Sequence, residues 1–347
     1  MQKENVAVIG LGYFSQFHLA AWVRRPGLAL AGATDPDPAR RAWAAETHGV
    51  DPFDSTDALL AATRPAIVDI VAPPGAHAAL IRQCLAPGRI IVCQKPFCTS
   101  LAEAMAITAE AEAAGTTLVI HENFRFQPWH RTIRRVLDAG HLGTVWQARF
   151  CLRPGDGRGD DAYLSRQPRF REMERLLIEE TAVHFIDLFR WFFGGIETVW
   201  ADLRQLNPVL KGEDAGLMVL THEGGCRSLF DGNRLADHAS DNPRRTMGEL
   251  EIVGEGGTLT LDGAGTVRLR PFGASEWQVI PVTDPVDDTA FGGGCVEALI
   301  THVADTRDTP DKIENQARAY LPVIVATEAA YRADAEGRRI TLPGTPA

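Results

Sequence analysis

The stretch Asn5-Val6-Ala7-Val8-Ile9-Gly10-Leu11-Gly12-Tyr13-Phe14-Ser15-Gln16-Phe17-His18-Leu19-Ala20-Ala21-Trp22 decides how this chain is read. Its first part, Val6 to Ile9, is a short apolar run that stops at Gly10. Beyond Gly12 no breaker intervenes, so the chain can continue as a helix. A strand, a tight glycine turn and a helix place backbone N–H groups at a helix N-terminus, where a pyrophosphate is held. The spacing is G-x-G-x-x-S, and Ser15 is small enough for helix and strand to approach. A single match of this kind recurs by chance, so the remainder of the chain has to be consistent with it.

The 347 residues suffice for two domains, each with its own core. A formal net charge of −10 argues against nucleic acid or an anionic membrane as the main partner. Residues 1–5 are polar and run straight into the first strand, so no signal peptide is expected. No apolar run approaches the roughly 20 residues of a membrane span. Cys84, Cys93, Cys98, Cys151, Cys226 and Cys295 form no C-x-x-C pair and no His-rich cluster. Reduced thiols in a cytoplasmic protein without a bound metal are the expectation.

After the first helix, residues 28–34 form a second apolar run ending at Asp35, twenty positions beyond Ser15. An acid there accepts the ribose hydroxyls of NAD and repels a 2′-phosphate. Arg40 and Arg41 follow closely and keep NADP open as the disfavoured alternative. The Asp35-Pro36-Asp37-Pro38 run also reads as a turn capping a helix over residues 39–47, and both readings can hold. Further apolar runs at 66–71, 89–93 and 117–120 alternate with helical stretches. Continuous apolar strands between helices mean a parallel sheet covered on both faces, with ligands at the carboxyl ends of its strands. Asp35, Pro73, Lys95 and residues 121–123 all fall at such ends.

Past residue 125 the pattern changes. A helix at 129–139 precedes strands expected at 145–152, 199–204, 216–221, 226–230, 250–253, 258–261, 267–269 and 277–282, separated by glycine turns. The fold expected is therefore an N-terminal Rossmann parallel sheet domain (α/β, residues 1–122). A second α+β domain (residues 123–347) has a large, mostly antiparallel open sheet, with a final helix over 312–335 packing back on the first domain. An exposed sheet face of that size predicts a homodimer or homotetramer through the sheet.

Two places carry candidate chemistry. Lys95 sits at a strand end, followed by Pro96, where desolvating a lysine is costly without a function. The run 179–195 places Glu180, His184, Asp187 and Trp191 on one stripe at about 100° per residue, opposite Ala182, Phe185, Ile186, Phe189, Phe192 and Phe193. An acid one turn from a histidine can orient it as a base. The bland alternative is an ordinary polar face of an amphipathic helix. The charged segment 153–175, with six arginines, reads as a substrate-selecting lid or as a solvated loop or subunit contact.

The chain resembles the glucose–fructose oxidoreductase, inositol dehydrogenase and rhizopine-catabolism (Gfo/Idh/MocA) family over nearly its whole length. The resemblance rests on Val8-Ile9-Gly10-Leu11-Gly12 with His18, on Asp35, on Gln94-Lys95-Pro96, on Glu122-Asn123-Phe124-Arg125-Phe126 with Pro128, and on Glu180-x-x-x-His184. Ala329-Ala330-Tyr331 and Gly337-Arg338-Arg339-Ile340 complete it. It implies that Gly10, Gly12, Phe14 and Ser15 hold the pyrophosphate and Asp35 the adenosine ribose. It also implies that Pro73 and His77 line the cofactor, with Gln94 near the nicotinamide ribose. Lys95 would bind the substrate hydroxyl and His184 would accept its proton, with Glu180 as acidic companion. Asn123 and Arg125 would line the nicotinamide side or the substrate, and Asp187 is expected among the substrate-binding residues with Lys95, Arg125 and His184.

Two departures concern catalysis: Gln94 replaces the usual glutamate, removing a carboxylate beside Lys95, and Glu180 replaces the usual aspartate. The third, Ser15 for glycine, is tolerable. The implied activity is NAD(H)-dependent oxidation of a secondary hydroxyl on a sugar, sugar acid, polyol or cyclitol. Alternatives are an NAD-recycling glycoside-cleaving enzyme and a non-catalytic NAD-binding regulator.

Overall fold

The computed structural model describes residues 3–343; Met1 and Gln2 of the polar leading segment lie outside them. The described residues divide into two units, one of residues 3–123 and 296–321, the other of residues 124–295 and 322–343.

The first unit alternates strand and helix: β1 (Glu4–Ile9), α1 (Ser15–Val23), β2 (Leu28–Thr34), α2 (Pro38–His48), β3 (Pro52–Phe53), α3 (Thr56–Thr63), β4 (Ile67–Ile70), α4 (Pro74–Cys84), β5 (Ile90–Cys93), α5 (Leu101–Ala113) and β6 (Thr117–Ile120). The strands form one parallel sheet in the order β3-β2-β1-β4-β5-β6. Val6, Val8, Ile67, Val68, Ile91 and Val119 are wholly buried, as a sheet covered on both faces requires. Side chains cap three of the helices: Asp37 on α2, Ser55 on α3 and Ser100 on α5 each accept a backbone N–H of the first turn. The β3–α3 pair is absent from the sequence expectation, because a two-residue strand leaves no periodicity to read.

The strand ends align. Ile9 pairs with Thr34 and with Ile70, Ile70 with Cys93, and Cys93 with Ile120. The residues that follow, Gly10, Asp35, Val71, Gln94 and His121, therefore emerge along one edge. The strand order reverses between β1 and β4, which is where such sheets bind ligands.

The second unit contains α6 (Pro128–Asp138), β7 (Val145–Leu152), α7 (Val183–Phe193), β8 (Ile196–Arg204), β9 (Ala215–His222), β10 (Arg227–Asn233), β11 (Gly248–Gly254), β12 (Gly257–Leu261), β13 (Val267–Pro271) and β14 (Gln278–Ile280). Two helices, α8 (Cys295–Thr306) and α9 (Ala317–Glu336), and the strand β15 (Ile340–Thr341) complete the chain. The nine-stranded sheet runs β14-β13-β12-β11-β7-β10-β9-β8-β15. It is antiparallel except that β7 lies parallel to β10. The expected strands are present, but β7 is inserted at the centre of the sheet.

The last helix begins at Ala317, later than expected, because Asn315 adopts a φ of 61° and interrupts the run. Within the segment 153–175, Ala162, Tyr163 and Phe170 are buried in an apolar cluster with Leu176 and Leu210, while residues 158–161 and 172 are among those exposed. Fully buried Arg234 binds its Tyr163 hydroxyl through Nε at 2.6 Å.

Candidate active site

The glycine turn separates two needs. Gly10 has a φ of 93°, and a Cβ there would stand 2.5 Å from the Val71 carbonyl oxygen. Only glycine fits, so Gly10 serves the fold. Gly12 is exposed, and a Cβ there would meet nothing within 4 Å. The fold does not demand glycine at 12; an incoming group that must approach the backbone does. Among the described residues, the amides of Gly12, Tyr13 and Phe14 donate to no backbone carbonyl, leaving them at the mouth of α1. Ser15 is buried, with its hydroxyl donating to the Gly12 carbonyl at 2.7 Å, so it supports the turn from beneath.

Asp35 closes this corner. Its two carboxylate oxygens accept the N–H groups of Leu11 and Asp37, each at 2.8 Å. The carboxylate thus stands beside the turn. Arg41 donates to the Asp35 carbonyl and to Asp54, and is committed to the protein's own groups. Asn123, at the same edge after β6, has its Oδ1 buried with no hydrogen-bond partner among the described residues. An open turn over Gly12, a carboxylate beside it and an orphaned amide oxygen fit a dinucleotide.

Lys95 follows β5, half-buried, with a cis peptide to Pro96, which is also half-buried. Pro73 caps the start of α4 and is exposed. His77 departs from expectation. It is 0% exposed, and its ring nitrogens lie 3.0 Å from the Phe97 carbonyl and 2.7 Å from the Ala72 carbonyl. No ring atom is left for a cofactor; His77 braces the segments after β4 and β5, and burial lowers its basicity. Gln94 is also turned inward, toward His18 and His121.

In the second unit, His184 lies on α7, only 7% exposed, with its ring stacked on Phe124 at 4.1 Å between centroids. Asp187, one turn later, is wholly buried and accepts a two-pronged pair from Arg125: Nε at 2.6 Å and a terminal nitrogen at 2.5 Å. Both groups are therefore committed to each other, which fixes the loop carrying Phe124 against α7. The reading of this helix as having an ordinary solvated polar face fails, because Asp187 is as fully buried as Phe185 and Phe189 opposite and His184 is nearly so. Glu180 is not on the same regular helix. Residues Leu177–Ala182 wind as a π-helix, so a count at α-helical pitch does not carry from His184 back to Glu180. Thr181, in that turn, receives a hydrogen bond from buried Arg234.

Sequence reasoning placed His121 at the strand-end edge but missed Asp69 and Trp22; beneath that edge Asp69 binds both His18 and Trp22. Asp69 is a charge in an otherwise apolar strand, and that was the available signal. It also missed the stack of Phe124 on His184. Among the described residues, no group of three or more His, Cys, Asp or Glu side chains is placed to hold a metal, and no helix is long and apolar enough to cross a membrane.

Residues 4–122 match the family described as "Oxidoreductase family, NAD-binding Rossmann fold", and residues 130–260 match the GFO/IDH/MocA C-terminal domain. The chain is 30% identical over 348 residues to a D-apiose dehydrogenase of Paraburkholderia graminis, covering 97% of this chain and 89% of that protein. It is 27% identical over 287 residues to an inositol 2-dehydrogenase of Rubrobacter xylanophilus, covering 79% of this chain and 76% of that one. Among solved structures, an oxidoreductase from Agrobacterium radiobacter in complex with NAD+, L-tartaric acid and magnesium superimposes with a TM-score of 0.89 at 27% identity, covering 98% of each chain. The chain therefore belongs to the Gfo/Idh/MocA family: it is an oxidoreductase with an N-terminal NAD-binding Rossmann domain followed by the family's C-terminal domain.

Proposed function

We propose that this enzyme is an NAD-dependent dehydrogenase of a secondary hydroxyl on a sugar, sugar acid, polyol or cyclitol. The observation that carries the reading is the register of the parallel sheet, which brings the open turn at Gly12, Asp35, Lys95 and Asn123 to one edge. Relatives named for D-apiose and inositol support the substrate class. NAD, when bound, takes the hydrogen and electron pair from the alcohol carbon.

The chain's own residues supply the rest. The amides following Gly12 would hold the pyrophosphate, and Asp35 would accept the adenosine ribose hydroxyls. That carboxylate disfavours NADP, and Arg41, tied to Asp54, is not poised to offset it. Lys95 would bind the hydroxyl oxygen and His184 would take its proton. A ring fixed in plane by Phe124 presents its nitrogen in one direction, which is what general base catalysis requires. Glu180 and Asp187 would bear on that histidine from its own helix and the turn before it. Asp187 would do so through Arg125, not by touching substrate.

The exposed face of the nine-stranded sheet, where Leu217 is 40% exposed, would join copies of the chain as a homodimer or homotetramer. Light scattering on the purified protein measures this directly. The cytoplasm would be its compartment.

The functional test is a panel of D-apiose, inositols, sugar acids and simple sugars with NAD and NADP in parallel. NADH appearing with a member of the panel supports the reading. Cleavage of a glycoside without net NADH would replace it with NAD recycling, and NAD binding without any turnover would replace it with a regulator.

A further inference from the structure

A buried polar chain runs beneath the strand-end edge of the first unit. Asp69 and His18 are both 0% exposed. Asp69 Oδ2 accepts Trp22 Nε1–H at 2.7 Å and lies 2.7 Å from His18 Nδ1. A carboxylate only accepts, so the His18 Nδ1 carries a proton. The opposite ring nitrogen, His18 Nε2, is 2.8 Å from Gln94 Nε2, which is also 3.3 Å from His121 Nδ1.

The orientation of the Gln94 amide is set independently. Its Oε1 accepts the backbone N–H of Lys95 at 3.2 Å, so its nitrogen faces the histidines. That NH2 only donates, and it has two hydrogens for two ring nitrogens. Both His18 Nε2 and His121 Nδ1 must therefore present lone pairs, which makes His18 neutral and protonated at Nδ1 alone.

We propose that Gln94 is a positioning residue for Lys95. Asp69 fixes the tautomer of His18, His18 and His121 fix the amide, and the amide oxygen holds the Lys95 peptide. The link to catalysis rests on the role proposed for Lys95; the protonation pattern does not. The groups facing His18 are Asp69 from β4, Gln94 from the end of β5, His121 from the end of β6 with ring centroids 4.3 Å apart, and Trp22 from its own helix.

A glutamate at 94 has the same shape but cannot donate. It would set a carboxylate oxygen against the His18 Nε2 lone pair, and with the His18 Nδ1 proton already held by Asp69 that contact is relieved by taking up one proton, which an imidazole, ordinarily more basic than a carboxylate, holds as its Nε2–H. Gln94→Glu activity should thus be retained at acid pH and lost as pH rises, the direction in which an imidazolium gives up its proton. The loss expected is about tenfold or more relative to the wild-type profile. Gln94→Met, with no polar group, should be impaired at every pH.

The test is 15N–1H correlation on the full-length enzyme labelled at histidine. His18 is identified as the signal lost in His18→Gln or, if that variant does not fold, as the signal displaced in Gln94→Glu. Wild type should show His18 neutral with its proton on Nδ1 at neutral pH, and Gln94→Glu should show an added ring proton. A wild-type His18 protonated on Nε2 or on both nitrogens overturns the proposal, as does a Gln94→Glu pH profile of wild-type shape. Should no alcohol be turned over, the functional reading fails while the spectrum still judges the tautomer.

Discussion

The imidazole of His184 lies flat on the ring of Phe124, with centroids 4.1 Å apart and planes inclined by 4°. Phe124 is itself held edge-on by Phe185 at 5.3 Å. Such an aromatic pair contributes about 0.5–1.5 kcal/mol and fixes the plane of the imidazole. Phe124→Leu keeps most of the apolar volume and removes the flat partner. We expect kcat to fall about tenfold with NAD affinity unchanged, measured by steady-state kinetics beside a fluorescence titration of NAD.

Arg125 and Asp187 form a second fixed relation, 62 residues apart in sequence, with Asp187 wholly buried. Arg125→Met leaves that carboxylate without its two-pronged partner. Breaking a buried pair from one side costs about 3–5 kcal/mol. Urea denaturation should show a loss of that order for Arg125→Met. The double variant Arg125→Met/Asp187→Leu, which removes both charges, should recover part of it.

Gly10 and Gly12 should separate cleanly. Gly10→Ala forces a Cβ into the Val71 carbonyl at a φ of 93°, so the chain should unfold at lower temperature or fail to fold. Gly12→Ala meets open space and should melt like wild type, yet bind NAD at least about tenfold more weakly. A calorimetric scan paired with an NAD titration distinguishes the two.

Two buried histidines set the acid limit of stability. His130 and His222 are each held down to about 4 from 6.5, chiefly by burial. The unfolded chain therefore binds more protons than the folded one below pH 6.5. Their contribution is complete above pH 6.5 and is lost as pH falls toward about 4. Each contributes on the order of 3 kcal/mol across that window. Urea unfolding across this range should show stability rising with pH, and His222→Gln should flatten the slope.

The first unit was legible because its physics is local. A parallel strand buried on both faces is a continuous apolar run, and Gly10 and Asp35 sit at its ends. The aligned edge followed without further assumption. What stayed hidden depends on distant pairing or on a change of pitch. Asp69 meets His18 across 51 positions, and Arg125 meets Asp187 across 62. The stripe from Glu180 to Trp191 assumed one pitch, whereas the turn through Leu177–Ala182 is π-helical. The resemblance put His77, in the helix after β4, against the cofactor, but nothing in the sequence tells a ring that faces outward from one set between two carbonyls.

The central claim is that His184 takes the proton of an alcohol whose hydrogen passes to NAD. His184→Ala tests it most directly, with turnover and NAD binding measured on the same preparation using a substrate found in the panel. The account predicts a fall in kcat of about 10²–10⁴-fold with the NAD dissociation constant unchanged. Turnover equal to wild type in a folded, NAD-binding His184→Ala enzyme would contradict it.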